Sequence, residues 1–146
     1  NNIGTVDIPT EYKQEIVING MLSFDDYLSV LKQCHYFVMP SRGEGFCIPM
    51  LESMSIGIPS IYTGNIGMED VVSPCFGAMS SLENLYTADS NWMEIDIEDL
   101  GRNMRLAFLE ANSEKYKQLK QDCLSLSENF SLEMIGRKIK ETINDL

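Results

Sequence analysis

Residues 40–59 read Pro-Ser-Arg-Gly-Glu-Gly-Phe-Cys-Ile-Pro-Met-Leu-Glu-Ser-Met-Ser-Ile-Gly-Ile-Pro. The first half of this stretch predicts a turn, because glycines flank Glu44 and let the backbone approach a ligand closely. The second half predicts a helix with Pro49 at its first position, and a helix start offers unpaired N–H groups with a partial positive charge. Glu44 and Glu52 add two carboxylates that can accept hydrogen bonds from hydroxyl groups. The stretch therefore predicts a site for a ligand that carries phosphate and hydroxyl groups.

The residues on either side of this stretch predict a parallel β-sheet. Ile16–Ile18 and Tyr36–Met39 are continuous apolar runs, which are typical of strands buried on both faces. Between them Ser23 can cap a helix, whose apolar residues Tyr27, Val30, Leu31 and Cys34 recur at helical spacing. Ser60–Tyr62 predicts the next strand. This alternation indicates an α/β fold in which a parallel sheet is flanked by helices, with ligands bound beyond the carboxyl ends of the strands.

The remainder of the chain divides into a region of weak signals and three clear helices. Residues 63–91 are rich in Gly, Ser, Pro and Asn and predict loops, a brief helix near Glu69 and one strand near Cys75–Met79. Each later helix has one apolar face, which we expect to pack inward. These faces are Ile97, Leu100, Met104, Phe108 and Ala111; then Tyr116, Leu119, Cys123 and Leu126; then Leu132, Ile135, Ile139 and Ile143.

Length and composition bound the class of protein. The chain has 146 residues, of which 44% are hydrophobic and 23% charged, so we expect one domain over residues 1–146. It has no apolar run of the roughly 18 residues that a membrane span needs. The net charge of −11 opposes binding to nucleic acid. The first residue is Asn1 and no signal-peptide pattern follows, which indicates a piece of a longer protein.

The cysteines and the single histidine do not predict a metal site. Cys34, Cys47, Cys75 and Cys123 form no Cys-x-x-Cys pair, and His35 adjoins only Cys34. Widely spaced single cysteines without a secretion signal are typical of reduced, buried thiols. We therefore expect a cytoplasmic protein, which could contact a membrane only through its missing part.

The pattern Pro-Ser-x-x-Glu-Gly-Phe-x-x-Pro-x-Leu-Glu-x-Met-x-x-Gly-x-Pro resembles the signature of retaining GT-B glycosyltransferases of the group 1 type, in which seven residues separate two glutamates. Such enzymes consist of two Rossmann-like domains that face each other across a cleft. The resemblance extends more loosely from about Ile16 through the last helix. It implies that this chain is the C-terminal, donor-binding half, incomplete at its N-terminus and without the acceptor domain.

The resemblance also implies roles for the residues of the turn and the helix. Glu44 matches the glutamate that binds hydroxyl groups of the transferred sugar, and it is the candidate catalytic residue. Glu52 matches the carboxylate that binds the ribose of the nucleotide, although the helix dipole alone would favour a negative charge there by ~0.3 to 1 kcal/mol. Backbone amides expected to contact the sugar and the phosphate are those of Gly45, Phe46, Cys47 and Ile48.

Two parts of the predicted site have a second interpretation. Arg42 is the only Lys or Arg between Gln33 and Gly101; it is either a solvated loop residue or a fork-shaped donor to phosphate. Gly20 and Met21 lie in Asn19–Leu22, which is either a plain turn between a strand and a helix or the loop beside the nucleotide base. The sequence leaves both choices open.

The implied reaction is the transfer of a sugar, with retention of its anomeric configuration, from a nucleotide-sugar donor to a carbohydrate, lipid or protein acceptor. The resemblance implies no metal and no other cofactor. One departure is that the family holds the donor diphosphate with an Arg and a Lys from the first strand and helix, whereas here only Lys13 precedes Ile16. The fragment alone should therefore not transfer sugar efficiently. Alternatives are a GT-B-shaped sugar-nucleotide epimerase and a non-catalytic binding or scaffolding domain.

Overall fold

The computed structural model describes residues 16, 18–64, 77–78, 80–83 and 92–145. Within these ranges the chain forms five helices and five strands. In chain order they are α1 (Phe24–Leu31), β1 (Phe37–Met39), α2 (Ile48–Ser55), β2 (Ser60–Thr63), β3 (Gly77–Ala78), β4 (Ser80–Glu83), β5 (Trp92–Ile95), α3 (Ile97–Glu110), α4 (Glu114–Glu128) and α5 (Leu132–Asn144).

The described strands form a three-stranded parallel sheet in the order β1, β2, β3 and a separate antiparallel pair of β4 with β5. In the parallel sheet Phe37 lies opposite Ser60, and Tyr62 lies opposite both Met39 and Gly77. The helix α2 connects β1 to β2, so these three elements make one β-α-β unit. This confirms the predicted α/β fold with a small parallel sheet flanked by helices.

The core of the domain is centred on α2. Met50 and Met54 of this helix are fully buried, and they join Cys47, Tyr62 and Cys123 in one hydrophobic cluster. The helix contacts β1 and β2 as well as α4. Because the sheet and α4 both contact α2, its start is fixed relative to the ends of the strands.

Side-chain caps explain where four of the five described helices begin. Ser23, Asp96, Ser113 and Ser131 accept hydrogen bonds from backbone N–H groups in the first turns of α1, α3, α4 and α5. Each such cap typically contributes about 1 kcal/mol. The cap of α1 at Ser23 is confirmed. The helix α2 differs, because the residue before it, Cys47, makes no side-chain cap.

The predicted strand at Ile16–Ile18 is wrong for the described residues. Ile16 and Ile18 lie in no strand and are 90% and 46% exposed, and residue 17 lies outside the described residues. An apolar run becomes a buried strand only where a neighbouring strand supplies hydrogen-bond partners. Among the described strands β1 pairs only with β2, so this run has no such partner.

The helix α3 has the predicted position but buries a different face. Its buried residues are Asp99, Asn103 and Ala107, whereas Phe108 is 80% exposed. The carboxylate of Asp99 accepts a hydrogen bond from the Asn103 amide at 3.2 Å and pairs with Arg102. This satisfied polar group can therefore be buried beside the small side chain of Ala107. The inward packing predicted for Ile97, Met104 and Phe108 is wrong, since all three are exposed, while Leu100 and Ala111 are half-buried.

The predicted inward face is confirmed for α4 and wrong for α5. In α4 Tyr116 and Cys123 are buried, which confirms the predicted inward face. In α5 no residue is buried, and Leu132 at its start is 91% exposed. The predicted inward packing of Leu132, Ile135, Ile139 and Ile143 is therefore wrong within the described part of the chain.

The hairpin of β4 and β5 was not predicted. Ser80 pairs with Ile95 and Glu83 with Trp92 in an antiparallel register. The strand segments read Ser-Ser-Leu-Glu and Trp-Met-Glu-Ile, and neither alternates regularly between apolar and polar residues. The strand β3 falls inside the predicted strand Cys75–Met79, and the predicted helix near Glu69 lies outside the described residues.

Candidate functional site

The turn of residues 40–47, called here the Glu44 turn, follows the end of β1 and leads directly into α2. It therefore lies at the carboxyl edge of the parallel sheet, where ligands of such sheets bind. At the other end of α2, Gly57 has a φ of 73° and its N–H bonds the Met54 carbonyl at 2.9 Å, which ends the helix as predicted. The first residue of α2 is Ile48, so Pro49 occupies the second position, one later than expected.

The backbone of Cys47 is the unusual feature of the turn. Its φ of 51° and ψ of 64° lie in the left-handed region, and its side chain is only 5% exposed. A residue other than glycine in this region carries a backbone strain of about 1 to 2 kcal/mol. The Cys47 carbonyl accepts bonds from the N–H groups of Met50 and Leu51 at 3.0 and 3.3 Å, and the thiol makes no cap. As the sequence indicated, the Cys47 side chain does not cap the start of α2.

The charge of Glu44 influences the Cys47 thiol. Burial raises the pKa of this thiol, a backbone hydrogen bond from Met50 lowers it, and the charge of Glu44 raises it again. The net effect keeps the thiol protonated at neutral pH. A protonated, buried thiol is a poor nucleophile, so Cys47 acts here as a small core residue beside the carboxylate.

Burial raises the pKa of the phenol of Tyr27, which belongs to the preceding helix α1, and the charge of Glu52 raises it further. The Tyr27 hydroxyl is a buried polar atom without a hydrogen-bond partner among the described residues. Glu44, Cys47 and Glu52 all lie in the Glu44 turn and the first two turns of α2, so the two carboxylates belong to one continuous segment.

Tyr27 was predicted only as a member of the apolar face of α1, not as a site residue. The signal that could have singled it out is its hydroxyl group, because a buried tyrosine needs a polar partner that a leucine does not. The sequence alone does not show that this hydroxyl is buried.

Glu52 also borders a groove of about 400 Å³ between α2 and the junction of α4 with α5. Phe130 lines this groove, and its ring meets the ring of Phe46 edge-on with centroids 5.7 Å apart. The Glu44 turn is thereby packed against the α4–α5 junction. The other groove-lining residues are Leu51, Ser55, Ser127, Glu128 and Ser131.

The remaining predicted site residues lie at the surface. Gly45, Phe46, Ile48 and Arg42 are exposed on or beside the Glu44 turn. Gly20 has a φ of 114° in the loop before α1, and the side chain of Met21 is fully exposed. The binding roles of these residues stay predictions.

A second, roomier cavity of about 570 Å³ lies between α3 and the strands β1 and β2. Val38, Ile61, Met104 and Phe108 make it largely apolar, and it shares no lining residue with the Glu44 turn. The candidate site is therefore identified by its backbone conformation and its carboxylates, and not by cavity volume.

The described residues offer no metal site: no group of three or more of their His, Cys, Asp and Glu side chains is arranged to bind a metal ion. None of the helices in the described ranges combines the length and the apolar character needed to cross a bilayer.

Comparison with known proteins agrees with the resemblance in the signature. The chain is 26% identical over 119 residues to the serotype-specific mannosyltransferase WbdA of Escherichia coli, covering 82% of this chain and 13% of that protein. It is 29% identical over 133 residues to an uncharacterized glycosyltransferase of Methanocaldococcus jannaschii, covering 89% of this chain and 34% of that protein. The chain thus spans about a third or less of the length of these relatives.

The family described as Glycosyl transferases group 1 matches residues 5–85. This range is more than half of the 146 residues, and it contains β1, the Glu44 turn, α2 and β2. On this match the chain belongs to the Glycosyl transferases group 1 family.

Proposed function

We propose that the full-length protein transfers a sugar from a nucleotide-sugar donor to an acceptor with retention of configuration, and that this chain supplies the donor site. The observation that carries the proposal is the Glu44 turn, in which the left-handed residue Cys47 leads into α2 between Glu44 and Glu52. Its position at the carboxyl edge of the parallel sheet is where the fold binds nucleotides. Membership of the family supports glycosyl transfer as the reaction class.

In this proposal the protein acts mainly by positioning and by electrostatic stabilisation. The departing phosphate oxygens gain negative charge, which the backbone amides at the start of α2 stabilise where that charge grows. Glu44 holds hydroxyl groups of the transferred sugar, and Glu52 holds the ribose of the nucleotide. The protonated Cys47 thiol takes no covalent part in the reaction.

The donor sugar to test first is mannose, because one relative is named a mannosyltransferase. The acceptor belongs to the carbohydrate, lipid or protein class and binds to the other domain of the full-length enzyme. Transfer proceeds without a metal or another cofactor, so adding a chelator to the assay leaves the rate unchanged.

The test incubates full-length protein with labelled nucleotide sugars, acceptors of each class and a mannosyl donor among the set. We expect a glycosylated product whose new bond, measured by proton NMR, has the anomeric configuration of the donor. Glu44→Ala should lower turnover more than donor affinity. An inverted product would overturn retention, an isomerised donor without acceptor would indicate an epimerase, and the absence of nucleotide binding would indicate a scaffolding domain.

A further inference from the structure

Positive charge is concentrated in one small pocket of this acidic protein, called here the lysine pocket. It has a volume of about 320 Å³ and lies between the segment that leads into β1 and the first half of α4. Three of the 11 Lys and Arg side chains of the protein line it, namely Lys32, Lys117 and Lys120, whereas no Asp or Glu among the described residues does so. In a chain of net charge −11 this local excess of cations calls for an explanation.

Two of the three ammonium groups have no carboxylate partner. Lys117 pairs with Glu114 at 2.6 Å. Lys32 and Lys120 form no ion pair within the described ranges of the chain. Because like charges that line one pocket repel each other, a bound anion would offset that repulsion and accept hydrogen bonds from both ammonium groups.

Contacts of Tyr116 hold one wall of the lysine pocket in place. Tyr116 is buried, its hydroxyl donates to the His35 carbonyl at 2.9 Å, and the centroids of the two rings are 5.9 Å apart. The Lys120 ammonium lies 5.7 Å from the centroid of the Tyr116 ring, and the Lys120 stem passes beside Gly57. Lys120 is therefore half-buried and restrained before any ligand binds, which lowers the entropic cost of binding.

The lysine pocket is separate from the candidate donor site. His35 precedes β1, so the pocket lies at the amino edge of the parallel sheet, whereas the Glu44 turn follows the carboxyl end of β1. The pocket shares no lining residue with the Glu44 turn or with the groove beside Glu52. A ligand of the lysine pocket is therefore a different molecule from the sugar donor.

We propose that the lysine pocket binds a phosphate dianion, either free or carried by a small phosphorylated metabolite. Phosphate oxygens accept charge-assisted hydrogen bonds from Lys32 and Lys120, and the side-chain amide of Asn112, which also lines the pocket, can donate another. The volume of about 320 Å³ is at the lower end of the range for small-molecule sites. The inference does not depend on the proposed function.

The experiment titrates the full-length protein by calorimetry with inorganic phosphate and, separately, with glucose 6-phosphate at constant ionic strength. We expect saturable binding of at least one anion with a Kd below about 1 mM. Lys120→Met removes the ammonium group and keeps an unbranched stem over Tyr116, so it should raise this Kd about three- to tenfold. Lys32→Met should do the same, and because Lys32 is exposed this variant should fold normally.

The matched control is Lys138→Met, which removes an exposed lysine of α5 outside the pocket and should leave the Kd unchanged. Equal Kd values for the two anions would identify free phosphate as the ligand, and tighter binding of glucose 6-phosphate would identify a phosphorylated metabolite. The absence of saturable binding to the wild-type protein would overturn the proposal. An equal loss of affinity in Lys138→Met would also overturn it, because only the general charge of the protein would then attract the anion. Unchanged affinity in both pocket variants would place the phosphate elsewhere and overturn it as well.

Discussion

Cys47 has the unusual backbone conformation of the candidate site. Its left-handed backbone reverses the chain between Glu44 and α2, and its buried side chain joins the core cluster with Met50 and Met54. Strain in a residue other than glycine persists only where the surrounding structure stabilises it. Here the packing of α2 between the sheet and α4 provides that stabilisation, and the strained residue lies between the two glutamates.

The reactivity of the cysteines tests this description at the residue scale. Cys34 is exposed, whereas Cys47 is buried and burial raises its pKa. A raised pKa lowers the thiolate fraction at a given pH. At pH 8 the alkylation of Cys47 should therefore be slower than that of Cys34 by a factor on the order of ten or more. The alkylation rate of Cys47 should also level off at a more alkaline pH than the rate of a free thiol.

Peptide mass spectrometry after timed alkylation of the native protein measures both rates. Cys123, which is also a buried cysteine, is the matched control for protection by packing. Rapid modification of Cys47 at neutral pH would contradict its placement beside Glu44 in the core.

At the scale of elements, the C-terminal end of α2 depends on a glycine. Gly57 ends it in a left-handed conformation, and an added Cβ would meet Leu124 at 3.5 Å, an ordinary contact. Gly57→Ala should therefore lower the free energy of unfolding by about 1 to 2 kcal/mol through backbone strain. Gly101 lies exposed inside α3 with nothing within 4 Å of an added Cβ. Gly101→Ala should instead raise stability by about 0.5 to 1 kcal/mol.

Urea denaturation of the two variants measures both changes. Opposite signs are expected because only the first position needs a positive φ. Stabilisation by Gly57→Ala would show that α2 ends in another way.

The sequence predicted those elements whose signals are local. Ser23 before an apolar periodicity predicted α1, the continuous apolar run Tyr36–Met39 predicted β1, and β2 was predicted after the helix end at Gly57, each strand to within one residue. The strand predicted at Ile16–Ile18 was wrong, and neither the pairing of β4 with β5 nor the buried face of α3 was predicted. A strand needs a neighbouring strand, and the buried face of a helix depends on what packs against it, neither of which periodicity encodes.

The same limit applies to the candidate site. Glu44 and Glu52 were predicted because both lie in one contiguous segment of 20 residues. The contact of Phe46 with Phe130 was not predicted, because Phe130 lies at the junction of α4 with α5, far from the signature in sequence. The signature predicts the type of ligand. Tertiary packing decides which other residues lie near the candidate site.

At the scale of the whole molecule, the apolar surface divides into a buried cluster around α2 and exposed faces on α3 and α5. Met54→Ala should lower the free energy of unfolding of the 146-residue chain by about 2 to 5 kcal/mol, because Met54 is fully buried. Ile139→Ala on α5 should change it by less than about 0.5 kcal/mol, because Ile139 is 55% exposed. Denaturant titration of both variants gives the comparison, and similar losses would place α5 in the core.

The net charge of −11 repels phosphate at long range, so the proposed function requires local groups at the Glu44 turn to hold the donor. The most direct test is the calorimetric affinity of full-length protein for the nucleoside diphosphate of its donor. Loss of a hydrogen bond to a charged group corresponds to about 1.5 to 3 kcal/mol, so Glu52→Ala should bind roughly 10- to 150-fold more weakly. Glu44→Ala should stay within about threefold of wild type, because this ligand lacks the transferred sugar. Unchanged affinity in Glu52→Ala would contradict a donor site at the start of α2.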